Sequence, residues 1–457
     1  MRPVRGQEIL ATATAGLGSV FTAIVDKHLK PGGRLALVLS AAVTTGGAWD
    51  KTRILIDHSY DLEFVVTSHD ATRWQFSESA NYSDVLLVAR KRLPTERRDG
   101  SKDKTCTFIN LWRNPTATAD ALALGESIEA SSPAPIGSAA HPFHGTTNLM
   151  IGTDKWGELV SIPLQELWGN LWPGSAFAHT ELVRANWLLR QGKLVLPGAR
   201  TAHDVQLCPL EKLGELGPDG RDIHDGFTHG TSRTSYAAFW NHDADTVVTM
   251  AQHPNEFLSP RSRPAAGRPR RPASLLWPRA SHLMVAVRLR FNTHRLVAVR
   301  LSQEGLSNVW YPLKLIDSDE SHERVLLLWL NSSLGLLLLA GHRVPTQGAW
   351  VQFKKPTWDP MPVLDIGKLS KRQLKQLSTG YDSVANEKLE PLPRMDTDPI
   401  REEIDDLLSH VLGLPSLAPI RALLAREPVI NNEPLWKAGK PEELAEASEQ
   451  FELLLPS

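Results

Sequence analysis

The stretch Lys30-Pro31-Gly32-Gly33-Arg34-Leu35-Ala36-Leu37-Val38-Leu39 constrains the fold more than any other part of the chain. Proline lacks the backbone N–H a helix needs, and glycine loses the most conformational freedom when held in one, so a helix entering this stretch must stop. The apolar run behind it is almost unbroken, the pattern of a strand covered on both faces, since a half-solvated strand alternates apolar with polar residues. Upstream, Val20, Phe21, Ile24, Val25 and Leu29 recur at helical spacing. Downstream come the Gly46-Gly47 turn, a helical stretch from Trp49 to His58, a strand-like run from Asp61 to Thr67 and another from Asp84 to Arg90. This alternation predicts an α/β layer with crossover helices, ending in a strand that returns antiparallel beside its predecessor.

Residues 93–104, LPTERRDGSKDK, are polar, charged and rich in turn formers, and are read as a linker. From 105 to about 390 short apolar runs alternate with Gly, Pro, His and Trp, which predicts a strand-rich mixed domain. Inside it, residues 259–272 are dominated by Pro and Arg and read as an exposed loop. Helix returns in residues 391–457, where Ile400, Ile404, Leu407, Leu408, Val411 and Leu412 form an amphipathic stripe behind Asp396-Thr397-Asp398-Pro399, a cap with proline at the helix start. Residues 401–457 hold eleven acids against five basic residues and are expected to face away from a polyanion. The expected division is thus 1–92, the linker 93–104, 105–390 and 391–457. Internal repeats are not evident.

Several classes are disfavoured by what the chain contains. Cys106 and Cys208 are its two cysteines, too few for a disulfide scaffold or a four-cysteine zinc module and suited to a reducing compartment. The longest apolar stretch, Val325 to Ala340, is broken by Asn331-Ser332-Ser333 and falls short of the roughly 20 residues a bilayer requires. A soluble cytoplasmic protein with no membrane partner is the expectation. His141 and His144, and His224 with His229, lack a completing ligand set, so no metal site is expected. Neither a Gly-x-Ser-x-Gly elbow nor a Glu-x-Lys pair occurs, which argues against the common hydrolase and restriction-nuclease arrangements.

Charge is segregated. The net charge is -1, yet Phe257 to Gln303 carries ten arginines, at 261, 263, 268, 270, 271, 279, 288, 290, 295 and 300, with no lysine and no acid. Guanidinium groups offer planar paired donors to phosphate oxygens and to the guanine edge, and phosphate neutralisation releases counterions, so the cluster favours a polyanion. A solvated arginine-rich loop is the competing reading of Arg261, Arg263, Arg268, Arg270 and Arg271. Arg288, Arg290 and Arg300 alternate with Val and Leu at strand spacing instead, so they are expected to project from one face of a sheet. A second stretch, Gly341 to Trp350 followed by Lys354-Lys355, places Arg343, Gln347, Lys354 and Lys355 on turns. There Gln347 suits adenine and the lysines suit phosphate; an ordinary surface hairpin is the alternative.

Residues 29–40 (LKPGGRLALVLS), 54–66 (ILIDHSYDLEFVV) and 73–91 (RWQFSESANYSDVLLVARK), with the helix before them, resemble the rear half of the catalytic domain of adenine-N6 DNA methyltransferases of the restriction-modification and phage-defence type. In that family an aromatic residue just before the final strand packs on the target base once it is flipped from the duplex, and Phe76 occupies the matching place. A core aromatic is the other reading of Phe76. A second set, Leu327 to Gly335, the Gly348 turn, Pro360 to Val363, Leu369 to Leu377 and Asp398 to Asp405, resembles the end of the family's target-recognition domain. The resemblance therefore implies an α/β chain: a partial Rossmann-like methyltransferase sheet at the N-terminus, a mixed α+β target-recognition domain over 105–390, and a C-terminal helical segment.

The family also uses S-adenosylmethionine, bound by a glycine-rich turn after its first strand, and an Asn/Asp-Pro-Pro-aromatic tetrapeptide that directs the adenine amino group at the methyl donor. Neither motif is here: Asn114-Pro115-Thr116-Ala117 lacks the second proline and the aromatic, and no strand-like run precedes Ala15-Gly16-Leu17-Gly18-Ser19. The resemblance implies a chain that binds double-stranded DNA and lines the flipped-base pocket, with the donor site on a complementing N-terminal methyltransferase chain and other restriction or defence subunits as further partners. The alternatives are a non-catalytic DNA-binding specificity subunit or decayed fragment, and an interaction module whose arginine loop meets an acidic protein.

Overall fold

The computed structural model describes residues 11–76, 83–98, 104–131, 135, 146–169, 171–241, 246–263, 271–345 and 350–437. The described residues divide into two compact units: those within 11–180 together with 426–437, and those within 181–345 together with 350–425.

The first unit is built on a six-stranded mixed sheet. Its elements are α1 (Leu17–His28), β1 (Arg34–Ser40), α2 (Asp50–Ser59), β2 (Tyr60–Ser68), β3 (Asp84–Lys91), β4 (Thr105–Leu111), α3 (Thr118–Ala130), β5 (Thr146–Ile151) and β6 (Asp154–Pro163). The strand order is β1-β3-β2-β4-β6-β5. The helix stop falls where the sequence requires it: α1 ends at His28, and Gly32 takes a φ of 79°, a left-handed turn open to glycine, before β1 begins. β3 returns antiparallel as expected, and it inserts between β1 and β2, pairing with both.

The expected boundary at 93–104 does not hold. β4 follows it immediately and joins the same sheet, parallel to β2 from Phe64 against Thr107 to Ser68 against Leu111. The edge of β2 is thereby occupied, and Val65, Phe108, Leu159 and Val160 are wholly buried in the extended layer. Residues 426–437 also belong to this unit. Buried Glu427 accepts hydrogen bonds from the backbone N–H of Ala178 and of His179, both at 2.9 Å, and lies 2.7 Å from the His179 Nδ1.

The second unit holds a five-stranded sheet, a three-stranded sheet, short ribbons and a helical layer. In chain order its relevant elements are β7 (Gly214–Leu216), α4 (Gly220–Gly226), β8 (Phe227–Gly230), β9 (Tyr236–Ala238), β10 (Ala251–Gln252), β11 (Glu256–Pro260), β12 (Ser281–Ala286), β13 (Arg288–Arg290), β14 (Ala298–Gly305), β15 (Trp310–Leu315), α5 (Glu320–Asn331), α6 (Ser333–His342), β16 (Trp350–Gln352), α7 (Lys371–Val384), α8 (Pro399–Leu412) and α9 (Ala418–Arg426). The larger sheet runs β7-β15-β12-β14-β10, the smaller β8-β11-β9, and β13 pairs with β16 alone.

The apolar stretch 325–340 becomes two buried helices, α5 and α6, bent 69° at the polar triplet that interrupts it. Among the described residues no single helix is long and apolar enough to cross a membrane. Each polar residue at the bend has a task. Asn331 accepts from the Val297 N–H at 3.0 Å and donates to the Ala298 carbonyl at 2.9 Å, Ser332 caps α6, and Ser333 donates to Asp405 at 2.6 Å. Asp405 in turn receives Arg421 at 2.9 Å. The helices of 399–425 are therefore part of this unit rather than a separate C-terminal segment, and two of the acids counted in the tail, Asp405 and Glu427, are interior structural groups.

Candidate nucleic-acid interface

The described cations of the arginine cluster do not act alike. β13 alternates as its sequence demands, with Leu289 buried and Arg288 and Arg290 exposed. Its antiparallel partner β16 sets Gln352 directly across from Arg288 and Val351 across from Leu289. The inner face of this ribbon rests on an aromatic layer. Phe353 packs edge-on against Phe291 with centroids 6.4 Å apart, Trp358 lies 5.6 Å beyond, and the Trp358 indole N–H donates to the Ala286 carbonyl at 3.0 Å. Burying one face fixes the register, because a one-residue slip would exchange the faces, and the outward display of Arg288 and Gln352 follows.

Opposite stands α4. Asp219 caps it by accepting from the Asp222 N–H at 2.9 Å, and Ile223 anchors it in a cluster with Phe227, Trp240, Leu258 and Leu276. Between these elements lies a cleft of about 1120 Å³. Arg221, His224, Asp225 and Asp219 line it from α4 and its cap, and Arg261, Asn308 and Tyr311 line it from neighbouring strands and turns. Arg288 and Gln352 come from the ribbon, with Lys354 and Lys355 just beyond. Five cations face two carboxylates. Arg221, Arg288 and Lys354 are exposed and have no ion pair among the described residues, whereas Arg261 donates to the carbonyls of His224 (2.9 Å) and Phe227 (3.1 Å). Lys355 donates to the Leu216 carbonyl at 3.2 Å and sits 5.7 Å from the Tyr311 ring centre; burial, then the neighbouring Arg279, lowers its pKa from the ordinary value.

The sequence-derived candidates thus separate. Arg261, Arg288, Lys354 and Lys355 share the cleft. Arg271 lines an adjoining hollow with Lys355 and pairs with Asp222. Arg263 and Arg290 are exposed outside the cleft's lining. Arg268, Arg270 and Gln347 lie outside the described residues, as do His141 and His144. Arg343 is interior, 6% exposed, and donates to the Ala340 carbonyl at 2.6 Å, so it presents no free guanidinium to a ligand. Arg300 does not share the face of Arg288: it lies on β14, paired with Glu323 at 3.0 Å and Glu320 at 3.2 Å. Phe76 is half-buried against the cluster of Ile109, Leu111, Leu124, Leu149 and Trp156 in the first unit. His224 and His229 pack against Trp240, and His229 Nδ1 lies 2.8 Å from Glu256.

Arg221, Asp225 and Gln352 are cleft residues the sequence reading did not single out. Period-two alternation through Trp350-Val351-Gln352-Phe353 carries the signal for Gln352; Arg221 and Asp225 sit among aspartates on a short helix whose sequence suggests only a capped turn.

S-adenosylmethionine, the group the resemblance implies, is not fitted by residues 15–19. A 3-10 turn, Ala13–Ala15, precedes them rather than a strand, and a Cβ at Gly18 would meet Trp49 at 2.9 Å and Leu39 at 3.3 Å. That glycine lets α1 approach the Trp49 ring; it opens no cradle.

No family model matches the chain, and no curated protein matches it. Among solved structures the chain is similar to the type IIG restriction endonuclease BpuSI, at 13% identity and a TM-score of 0.35, over 94% of this chain and 51% of that one. It is also similar to the HsdS subunit from Thermoanaerobacter tengcongensis, at 10% identity and a TM-score of 0.25, over 87% and 96% of the two chains. The chain spans about half the length of BpuSI. Scores of this size establish no common fold, and the functional reading rests on the residues described above.

Proposed function

We propose that this chain grips duplex DNA through the cleft between α4 and the β13–β16 ribbon, and that it is the C-terminal part of a site-specific adenine-N6 DNA methyltransferase. The observation that carries the DNA reading is the cleft itself: five cations around one concavity, three of them without an ion pair among the described residues, with side-chain amides and two carboxylates among them. Cations position a phosphate backbone, while amide and carboxylate groups distinguish base edges.

The methyltransferase half of the reading is supported by the first unit. β1 and β2 run parallel with β3 between them, and among the described residues the outer edge of β1 has no strand beside it. Leu17, Phe21 and Val38 nearby are 73%, 56% and 51% exposed, an apolar surface unusual beside a free edge and suited to a further strand and helix from a complementing chain. S-adenosylmethionine would be held by that chain and would supply the methyl group. The part of Phe76 left open by its core contacts would stack on the extruded adenine. A cytoplasmic setting accords with the two buried free thiols.

A methyl-transfer assay with this chain alone tests the reading. Binding to duplex DNA without methylation is expected, with methylation appearing when a chain carrying the glycine turn and the Asn-Pro-Pro-aromatic tetrapeptide is added. Robust methylation by this chain alone would overturn it. DNA binding with no complementing chain in the host would favour the specificity subunit instead.

A further inference from the structure

The three aspartates of the capped helix α4 lie three residues apart, and two of them are committed. Asp219 caps the helix, and Asp222 pairs with Arg271. Asp225 is 8% exposed, lines the cleft, and has no hydrogen bond or ion pair among the described residues. A carboxylate that opens on the cleft with no protein donor has its acceptor capacity available to a ligand there. Phosphate oxygens are excluded as that ligand by like charge. The three aspartates do not form a cation site either, since among the described residues no group of three His, Cys, Asp or Glu side chains is arranged to hold a metal. What remains is a neutral N–H donor that enters a cleft lined by cations from both walls.

We propose that Asp225 is a base-reading residue: its carboxylate accepts a hydrogen bond from the exocyclic amino group of cytosine or adenine in the major groove. The inference rests on the reading of the cleft as a DNA site and gives that site its first sequence-determining group. The geometry is suited to it. A two-stranded ribbon is narrow enough to enter the major groove, and Arg288, set across from Gln352, brings donors for phosphate or for the neighbouring base from the facing wall. Asp225 then discriminates by charge sign: the amino group of cytosine or adenine is accepted, while the carbonyl edge of guanine or thymine, an acceptor facing an acceptor, is repelled.

The test uses the full chain and a randomised duplex library, sequencing the bound fraction for the wild type, Asp225→Asn and Lys354→Ala. Asp225→Asn keeps the shape but replaces one acceptor with a donor. It should weaken binding to the preferred sequence and so lose preference at one position on the order of 10-fold, while Lys354→Ala should weaken all sequences alike. Wild-type protein alone supplies a second arm. Replacing the preferred cytosine by 2-pyrimidinone, or the preferred adenine by purine, deletes the amino group, and one of the two probes should lose affinity by a similar factor. Which one loses it identifies the base. Wild-type binding indifferent to both probes, or an unchanged base profile in Asp225→Asn, overturns the assignment of Asp225 while leaving the DNA cleft standing. Absence of any duplex binding by the wild type overturns both.

Discussion

Removing Arg221, Arg288 and Lys354 together is the most direct challenge to the cleft, because these three exposed cations have no side-chain hydrogen bond or ion pair among the described residues. Each phosphate neutralised by a protein cation contributes about −0.9 to the slope of log affinity against log salt. If all five cleft cations meet phosphate, the wild-type slope is about −4.5, and raising salt from about 50 to 200 mM weakens binding about 500-fold. The triple alanine variant retains Arg261 and Lys355, so its slope falls to about −1.8 and the same salt step costs it about 12-fold. Fluorescence anisotropy on a labelled duplex over a salt series measures both slopes, and circular dichroism checks that the exposed substitutions leave the fold intact. A wild-type slope shallower than about −1, or a triple variant with the wild-type slope, would show that DNA does not enter this cleft.

Two further outcomes concern the units themselves. Burial disfavours the His179 imidazolium, but the hydrogen bond and charge of Glu427 outweigh it and hold His179 above its ordinary 6.5; burial likewise opposes the Glu427 carboxylate, yet His179 keeps it below 4.5. The Glu427 contribution is present above its ordinary value and is lost as pH falls through the depressed one. That of His179 is present below its ordinary value and is lost as pH rises through the raised one, so the pair supports its unit fully from 4.5 to 6.5. Thermal melts across pH should show this window, and Glu427→Leu should abolish it at a cost of about 3–5 kcal/mol by orphaning three donors. In the second unit a Cβ at Gly341 would fall 2.3 Å from the Asn186 amide, so Gly341→Ala should destabilise by about 1–3 kcal/mol in denaturant titration; an unchanged midpoint would mean that Asn186 can move aside.

The fold was legible where a single local rule decides it. Lys30-Pro31-Gly32-Gly33 cannot continue a helix, so the end of α1 and the turn follow from the residues themselves; the apolar run after it does form β1, but as an edge strand with Ala36 and Val38 exposed rather than one covered on both faces. The polar triplet at 331–333 was also visible as a break, but its purpose was not. Its partners, Ala298 and Asp405, lie 33 and 72 residues away, and hydrogen bonds across such separations leave no periodic trace. The misplaced boundary at 93–104 has a similar origin. Solvated charge marks a surface loop, and a surface loop can connect two strands of one sheet as readily as two domains; the parallel pairing of β2 with β4 distinguishes them, and it is a tertiary fact.

The candidate site divides along the same line. Arg288 and Arg290 were readable because alternation with Val and Leu is a property of neighbours in sequence, and β13 displays both as that alternation requires. Arg300, in a similar alternation, is silenced by Glu320 and Glu323, and Arg343 by burial, neither of which adjacent residues announce. Counting guanidinium groups therefore overstates the charge available to a ligand, and the count that matters is of cations sharing one concavity without a protein partner. By that count the cleft owes more to Arg221 and Lys354 than to the arginine cluster, which supplies Arg288 alone, and its one uncommitted carboxylate, on a helix with no cluster of its own, is where discrimination between bases would have to reside.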